Sequence, residues 1–259
     1  MEELLQVKEL RKTFQLTAKQ QKLENTKEKV KVAVDGLSFT AYKGEVFGLL
    51  GPNGAGKTTT LRMLATLIKP DSGDAILDGA SIVSQPELVR SKIGFLTSEL
   101  KLEDFFTPNY QYDFFSGLYG VDPQIAAARK KELFERFGID KFAEVKYGNL
   151  STGMKQKVSL VVSLVHDPDV VIFDEPTNGL DVLTAKVVTD FLLDLKSRGK
   201  SIIVSTHIFS LIEKVCDRVG IVIAGKMVEC GTLGEICGEK TLEDRFFEIY
   251  EEKVGRIDE

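Results

Sequence analysis

The 259-residue chain is 43% hydrophobic and 28% charged, which provides a full core for one large domain or a domain with a subdomain. A net charge of −5 gives no electrostatic reason for a nucleic-acid partner. No apolar run approaches the roughly 18 residues that span a bilayer, the start Met1-Glu2-Glu3 is acidic rather than signal-like, and Cys216, Cys230 and Cys237 fit no common zinc spacing or disulfide framework, so a soluble, cytoplasmic chain with reduced thiols is expected.

Leu4 to Leu10 alternates and reads as a strand, Val32 to Tyr42 as a second and the apolar run Val46 to Leu50 as a third. Between the first two lies 16–31, where Lys19, Lys22, Lys27, Lys29 and Lys31 face only Glu24 and Glu28; its composition suits a solvated hairpin loop. A helix follows over Thr58–Ile68, then the turn Pro70-Asp71-Ser72-Gly73, a short strand Asp74–Asp78 and an apolar strand Ile93–Thr97. Thr107-Pro108 reads as an N-cap with proline at the first helical position. Helices follow over Pro108–Leu118, Pro123–Phe137 and Ser151–Val165. The remainder alternates: strand Val170–Phe173, helix 182–197, strand Ser201–Ser205, helix 208–216 and strand Val219–Ile223, then a charged tail, Thr241–Glu259, whose Phe246, Phe247, Ile249 and Tyr250 suggest a helix with one apolar stripe. Alternating strands and helices predict an α/β fold on a parallel sheet, interrupted by a helical insertion before Leu150.

Gly51-Pro52-Asn53-Gly54-Ala55-Gly56-Lys57-Thr58 fits G-x-x-x-x-G-K-[ST] at every fixed position, with a strand before it and a helix after it. Glycines let successive N–H groups point at an anion, and the helix N-terminus adds free donors and a positive dipole end. Lys57 then reaches β- and γ-phosphate oxygens, and Thr58 offers a hydroxyl to Mg²⁺. The strand Val170–Phe173 delivers Asp174 and Glu175 at its C-terminal end, where open α/β sheets bind ligands. Asp174 suits Mg²⁺ coordination, and Glu175 suits polarising an attacking water. His207 follows the strand Ser201–Ser205; alone it reads as structural more readily than catalytic. His166 reads as a helix-end residue beside a turn.

Leu150-Ser151-Thr152-Gly153-Met154-Lys155-Gln156-Lys157 precedes Asp174 and resembles the signature of ABC-type ATPases, usually LSGGQ with basic and Gln residues after it. With the motifs above, the resemblance covers about residues 4–235. It implies a P-loop NTPase (RecA-like) α/β core with an antiparallel β subdomain and an inserted helical subdomain at about 99–165. The nucleotide-binding domain is expected over 1–235, with a short helical tail at 236–259. The resemblance also implies ATP and Mg²⁺ as ligands, with Gly51 through Thr59 as the phosphate cradle and Phe14 stacked on adenine. Glu175 matches the general base, His207 the switch histidine on the γ-phosphate, and Asp181, in Asn178-Gly179-Leu180-Asp181, the D-loop. Ser151, Thr152, Gly153 and Met154 are expected to serve a nucleotide held by another copy.

Thr152 and Met154 depart from the usual signature, but Ser151 and Gly153 remain, so function is expected to survive. After Ile93–Thr97 the family places a glutamine on Mg²⁺; this chain has Ser98-Glu99. A water-bridged Ser98, substitution by Glu99, and a weak Mg²⁺ contact all fit the sequence. Residues 105–119 hold Phe105, Phe106, Tyr110, Tyr112, Phe114, Phe115 and Tyr119. Packing of the helical subdomain is expected to take most of them, and the rest to line a groove for a membrane partner's helix. The implied function is the ATP-hydrolysing subunit of a transporter, closing as a homodimer on two ATP and driving a separate transmembrane permease from the inner face of the membrane, with export the expected direction. The 95–108 stretch and the S-T-G-M-K-Q-K form look like the sodium-extruding NatA subgroup. A soluble ABC ATPase without transport is the alternative, and a non-hydrolysing regulator is disfavoured by Glu175 and His207.

Overall fold

The computed structural model describes residues 2–23, 25–97 and 102–255. Glu24, Ser98 and Glu99, each named above, lie outside the described residues, as do 256–259 of the tail. Two sheets stack. The smaller is antiparallel, in the order β2-β1-β4-β5, from β1 (Glu3–Gln15), β2 (Val30–Tyr42), β4 (Ser72–Leu77) and β5 (Ala80–Ser81). The larger runs β10-β9-β3-β8-β7-β6, from β3 (Val46–Leu50), β6 (Ile93–Thr97), β7 (Val170–Asp174), β8 (Ser201–Thr206), β9 (Arg218–Ile223) and β10 (Lys226–Thr232). Its strands are parallel except β10, which returns antiparallel to β9.

β3, β7 and β8 are buried along their whole length, which is why they read as unbroken apolar runs. Successive side chains still point to opposite faces. Phe47, Leu49, Ile172 and Ile203 join one core with the small sheet and α2 (Lys57–Leu64); Val46, Leu50, Phe173 and Val204 join the other. That second core takes in α4 (Pro108–Leu118), α5 (Pro123–Phe137), α6 (Thr152–Val162), α7 (Val182–Ser197), α8 (Phe209–Val215) and α10 (Leu242–Val254). The helix starts follow their caps: Thr107 accepts from the Tyr110 N–H at 3.2 Å, and Asp122 from those of Gln124 and Ile125 at 2.9 and 3.2 Å. The tail helix α10 buries Leu242, Phe246 and Ile249 and sets Phe246 edge-to-face on Phe209 of α8, centroids 5.3 Å apart.

Some elements depart from expectation. The 16–31 loop contains a short exposed helix, α1 (Ala18–Leu23), and the hairpin strands continue to Gln15 and from Val30. α2 ends at Leu64 rather than Ile68, because Thr66 turns into the left-handed region (φ +59°) and the Leu67 N–H returns to the Arg62 carbonyl. α3 (Pro86–Lys92), β10 and α9 (Leu233–Cys237) are additional to the elements the sequence predicts. The aromatic cluster is more exposed than packing alone predicts: Tyr112 is fully buried and Phe115 partly, whereas Phe105, Phe106, Tyr110, Phe114 and Tyr119 are all exposed. Phe106, Tyr110 and Phe114 stack in a ladder, centroids 4.3 and 6.2 Å apart, along one face of α4. His166 lies in the turn after α6, its Nε2 2.9 Å from the Ile93 carbonyl and its ring stacked on Tyr119 at 3.9 Å.

Candidate active site

β3, β8 and β7 are parallel neighbours, so their C-terminal ends meet at one edge of the sheet. Leu50 pairs with Thr206, and Asp174 with Ser205. The phosphate loop, Glu175 and His207 directly follow those three strands and Asp174 closes β7, so register alone brings them together.

The loop requires its glycines. A Cβ on Gly56 would sit 2.3 Å from the Ala33 carbonyl oxygen, and Gly56 has φ +101°. A Cβ on Gly51 would sit 2.2 Å from the Val222 oxygen. Lys57 starts α2 and folds back inside the loop, its Nζ donating to the Gly51 and Pro52 carbonyls at 2.6 and 3.2 Å. Burial lowers the Lys57 pKa, and Glu175 and Asp174 oppose that shift. The Thr58 hydroxyl donates to Asp174 Oδ1 at 3.0 Å, and the buried Ser205 hydroxyl donates to the same oxygen at 2.5 Å. Ser205 was not singled out from sequence; a polar residue closing the apolar run Ile202–Val204 at the ligand-binding edge was its only signal.

Glu175 has a left-handed backbone (φ +51°), a conformation a non-glycine residue keeps only where its surroundings enforce it. Its N–H is held by the Ser205 carbonyl at 3.0 Å. Its carboxylate lies between two groups: Lys57 Nζ at 3.6 Å from Oε1, and His207 Nδ1 at 3.1 and 3.0 Å from Oε1 and Oε2. The side chain of Glu175 is 13% exposed and that of Lys57 5%, so this is a partly desolvated Lys–Glu–His cluster.

A pocket of about 300 Å³ opens over the loop. Asn53 to Thr59 form one wall, Phe14, Lys31 and Ala33 of the β1–β2 hairpin the other, and Glu175 one end. The cradle fits a nucleotide triphosphate: a glycine loop, a lysine and a helix N-terminus for the phosphates, with the Phe14 ring on the hairpin wall. The Thr58 and Asp174 oxygens fit Mg²⁺, a hard cation that takes one or two protein oxygens and completes its shell with phosphate and water. Among the described residues no group of three or more His, Cys, Asp or Glu could hold a metal ion.

Ser151, Thr152, Gly153, Met154 and Asp181 do not line this pocket. They share a different surface. Ser151 caps α6, accepting from the Met154 N–H at 3.3 Å. Asp181 caps α7, accepting from the Leu183 and Thr184 N–H groups and the Thr184 hydroxyl at 3.0, 3.1 and 2.7 Å. The Thr184 hydroxyl holds the Asp181 carboxyl below its usual pKa, and the Thr184 amide adds to the shift. A Cβ on Gly153 would meet Thr184 Oγ1 at 3.5 Å and Asp181 Oδ2 at 3.8 Å, so signature and D-loop are adjacent. A larger groove, about 550 Å³, lies between the RecA-like core and the helical subdomain, with Arg62, Arg90, Phe95, Phe115 and Tyr119 among its walls.

Parallel strand ends carrying a phosphate loop, a metal-type aspartate and a glutamate define a P-loop ATPase. Comparison with known proteins narrows the class. The family model for ABC transporters matches residues 34–178. The chain is 40% identical over 219 residues to the "ABC transporter ATP-binding protein NatA" of Bacillus subtilis (strain 168), spanning 84% of this chain and 89% of that one. It is 40% identical over 201 residues to a "Nod factor export ATP-binding protein I" of Burkholderia lata, spanning 78% of this chain and 66% of that one. A solved structure of the "ATP binding subunit of ABC transporter" superposes with a TM-score of 0.82 at 26% identity, covering 95% of this chain and 99% of the other. The chain belongs to the ABC transporter ATP-binding family, and its likeness to NatA agrees with the subgroup its signature resembles.

Proposed function

We propose that this ATPase works as a closed pair of copies, each nucleotide held by Lys57, Thr58, Asp174 and Glu175 of one copy and by Ser151 and Gly153 of the other. The observation that carries the proposal is the separation above. Within one chain the signature and Asp181 form a surface away from the phosphate pocket, while the Ser151 hydroxyl and the N-terminus of α6 remain suited to a phosphate.

In the closed pair Glu175 accepts a proton from a water in line with the γ-phosphorus. The water oxygen bonds to phosphorus as the bond to the β–γ bridging oxygen breaks. His207 holds the Glu175 carboxylate in place, and Lys57 exchanges its carbonyl contacts for phosphate oxygens. Thr58 and Asp174 would hold Mg²⁺, which would supply charge neutralisation for the phosphates. Most of the acceleration then comes from positioning and electrostatics.

The work is delivered to a separate transmembrane permease. No helix of the described residues is long and apolar enough to cross a membrane. The 550 Å³ groove, walled by Phe115 and Tyr119 with Arg62 and Arg90, suits a short permease helix. The export named for one relative supports export as the direction. The permease selects the cargo, with sodium the candidate that the NatA likeness suggests. The chain then sits at the inner face of the membrane through that partner.

Mixing two inactive variants tests the pairing. Lys57→Ala and Ser151→Ala chains are each expected to hydrolyse ATP poorly alone. Their mixture forms heterodimers with one complete site and recovers activity. A mixture no more active than its components refutes shared sites. For the permease, Tyr119→Glu is expected to lower cargo moved per ATP hydrolysed in reconstituted vesicles; an unchanged ratio removes the groove from the coupling route.

A further inference from the structure

We infer that Lys31, at the base of the β1–β2 hairpin, is a second nucleotide-binding cation, contacting the diphosphate on the side of the base. The inference rests on the reading of the Gly51–Thr58 pocket as the ATP site. Lys31 pairs with Phe14 across the hairpin. Directly opposed residues of an antiparallel pair project to the same face, as do residues two apart on one strand. Phe14 and Lys31 therefore share a face, while Ala33 sits at a bulge between the Thr13–Val32 and Lys12–Val34 pairs, beside Gly56 of the phosphate loop. All three line the 300 Å³ pocket.

Ala33 fixes the distance between hairpin and loop. Its carbonyl packs against Gly56 so closely that a Cβ there would lie 2.3 Å away. Lys31 lies two residues back along β2, roughly 7 Å from Ala33 at the usual strand rise. It therefore stands beside the Phe14 ring, with Ala33 between it and the start of α2. Its four-carbon stem reaches across such a gap.

Charge points the same way. Among the described residues lining this pocket, Lys31 and Lys57 are the basic ones and Glu175 the acidic one. Lys57 faces Glu175 deep in the loop, where the γ-phosphate is processed. Lys31 lies toward Phe14, and a cation there meets the phosphates that ATP and ADP have in common. It thus contributes about equally to binding substrate and product. The extended hairpin is the element that puts it there: the Leu16 N–H bonds the Lys29 carbonyl at 2.8 Å, holding the ladder in register beyond Gln15 and Val30.

The test is titration calorimetry of the full chain with ATP and ADP at two salt concentrations. Lys31→Met keeps the apolar stem and removes the charge. It is expected to raise Kd for both nucleotides by similar factors of about tenfold, the scale of one charge-assisted contact of about 1.4 kcal/mol. Its Kd is expected to be less salt-dependent than the parent's. Lys31→Arg is expected to recover most of the affinity, and Lys19→Ala, on exposed α1, to bind as the parent does. If Lys31→Met binds ADP with the parent's Kd and salt dependence, the inference is overturned and the ATP site stands. If the parent itself binds neither nucleotide, the site reading fails and the inference with it.

Discussion

Replacing Glu175 with glutamine removes proton acceptance and the carboxylate charge while leaving the size of the side chain unchanged. The amide keeps shape and hydrogen-bonding capacity, so the left-handed turn at 175 and the contact with His207 are preserved. A positioned general base contributes about 10²–10⁴ in rate, equivalent to roughly 3–5 kcal/mol of barrier. Steady-state phosphate release at saturating Mg-ATP is expected to fall by that factor.

Binding is expected to move the other way. Glu175 Oε1 lies 3.6 Å from Lys57 Nζ. At an effective dielectric of about 20, an attraction at that distance is worth up to about 5 kcal/mol, and the nucleotide's phosphates must compete with it for the same ammonium. Removing the carboxylate charge removes the competitor. Glu175→Gln is therefore expected to bind ATP at least as tightly as the parent and, unable to discharge it, to accumulate as a dimer in light scattering. Parent-level hydrolysis refutes the base assignment. A slow variant with weakened ATP binding refutes the electrostatic argument, because Glu175 would then support the site rather than compete for Lys57.

Two further substitutions probe the architecture. Gly56→Ala combines a left-handed backbone with a Cβ 2.3 Å from the Ala33 oxygen, whereas Gly54→Ala, at φ +81° with nothing within 4 Å of the new methyl, carries the dihedral cost alone. Expected losses are about 3 kcal/mol or more against about 1–2 kcal/mol, read as Tm differences by calorimetry, and equal losses refute the close approach of hairpin and loop. Tyr112 is fully buried, its hydroxyl makes no well-formed hydrogen bond among the described residues, and burial pushes its pKa up to about 12 against smaller opposing effects of Arg129 and the Ser116 hydroxyl. Above pH 10 the unfolded chain releases this proton while the folded chain keeps it, so stability is intact below pH 10 and declines toward pH 12, by up to about 3 kcal/mol in total. Tyr112→Phe is expected to be neutral or stabilising by about 1 kcal/mol in urea unfolding at pH 7 and to lose less stability than the parent at pH 11. Tyr147, also raised chiefly by burial, retains part of the alkaline loss; identical losses in parent and variant refute the assignment to Tyr112.

The legible parts of the fold announce themselves locally. β3 and β6 appear at their predicted bounds because an unbroken apolar run beside glycine or a polar residue leaves little choice. α4 and α5 do so because Thr107-Pro108 and Asp122-Pro123 place a cap and a pre-set φ in adjacent residues, and Gly138 (φ +66°) ends α5. The missed elements lack such signals. β10, Lys226–Thr232, is an edge strand of mixed burial whose existence depends on β9 beside it. α9 is five residues long, held by a Thr232–Glu235 capping box and by packing rather than by a periodic pattern. The exposed aromatics on α4 mislead in the opposite sense, since composition cannot distinguish a ladder on a surface from a core.

The same division runs through the site. Lys57, Thr58, Asp174 and Glu175 are readable because each lies inside a contiguous motif at the end of a strand, and the parallel sheet assembles those ends without further instruction. Ser205 and Lys31 act from a distance that sequence does not display. Ser205 meets Asp174 only because β8 and β7 pair in that register, bringing its hydroxyl within 2.5 Å of the carboxylate. Lys31 meets Phe14 only because the hairpin pairs them across α1, a segment that in sequence is simply lysine-rich and polar. A one-residue slip in the β1–β2 register would turn Lys31 to the outer face and leave Phe14 without it. Inserting one residue in β2 between Lys31 and Val32 is therefore expected to weaken ADP binding as Lys31→Met does, while Gly56 still meets Ala33. Binding equal to the parent's in that insertion variant would show that the lysine acts through charge at any position on the hairpin, not through register.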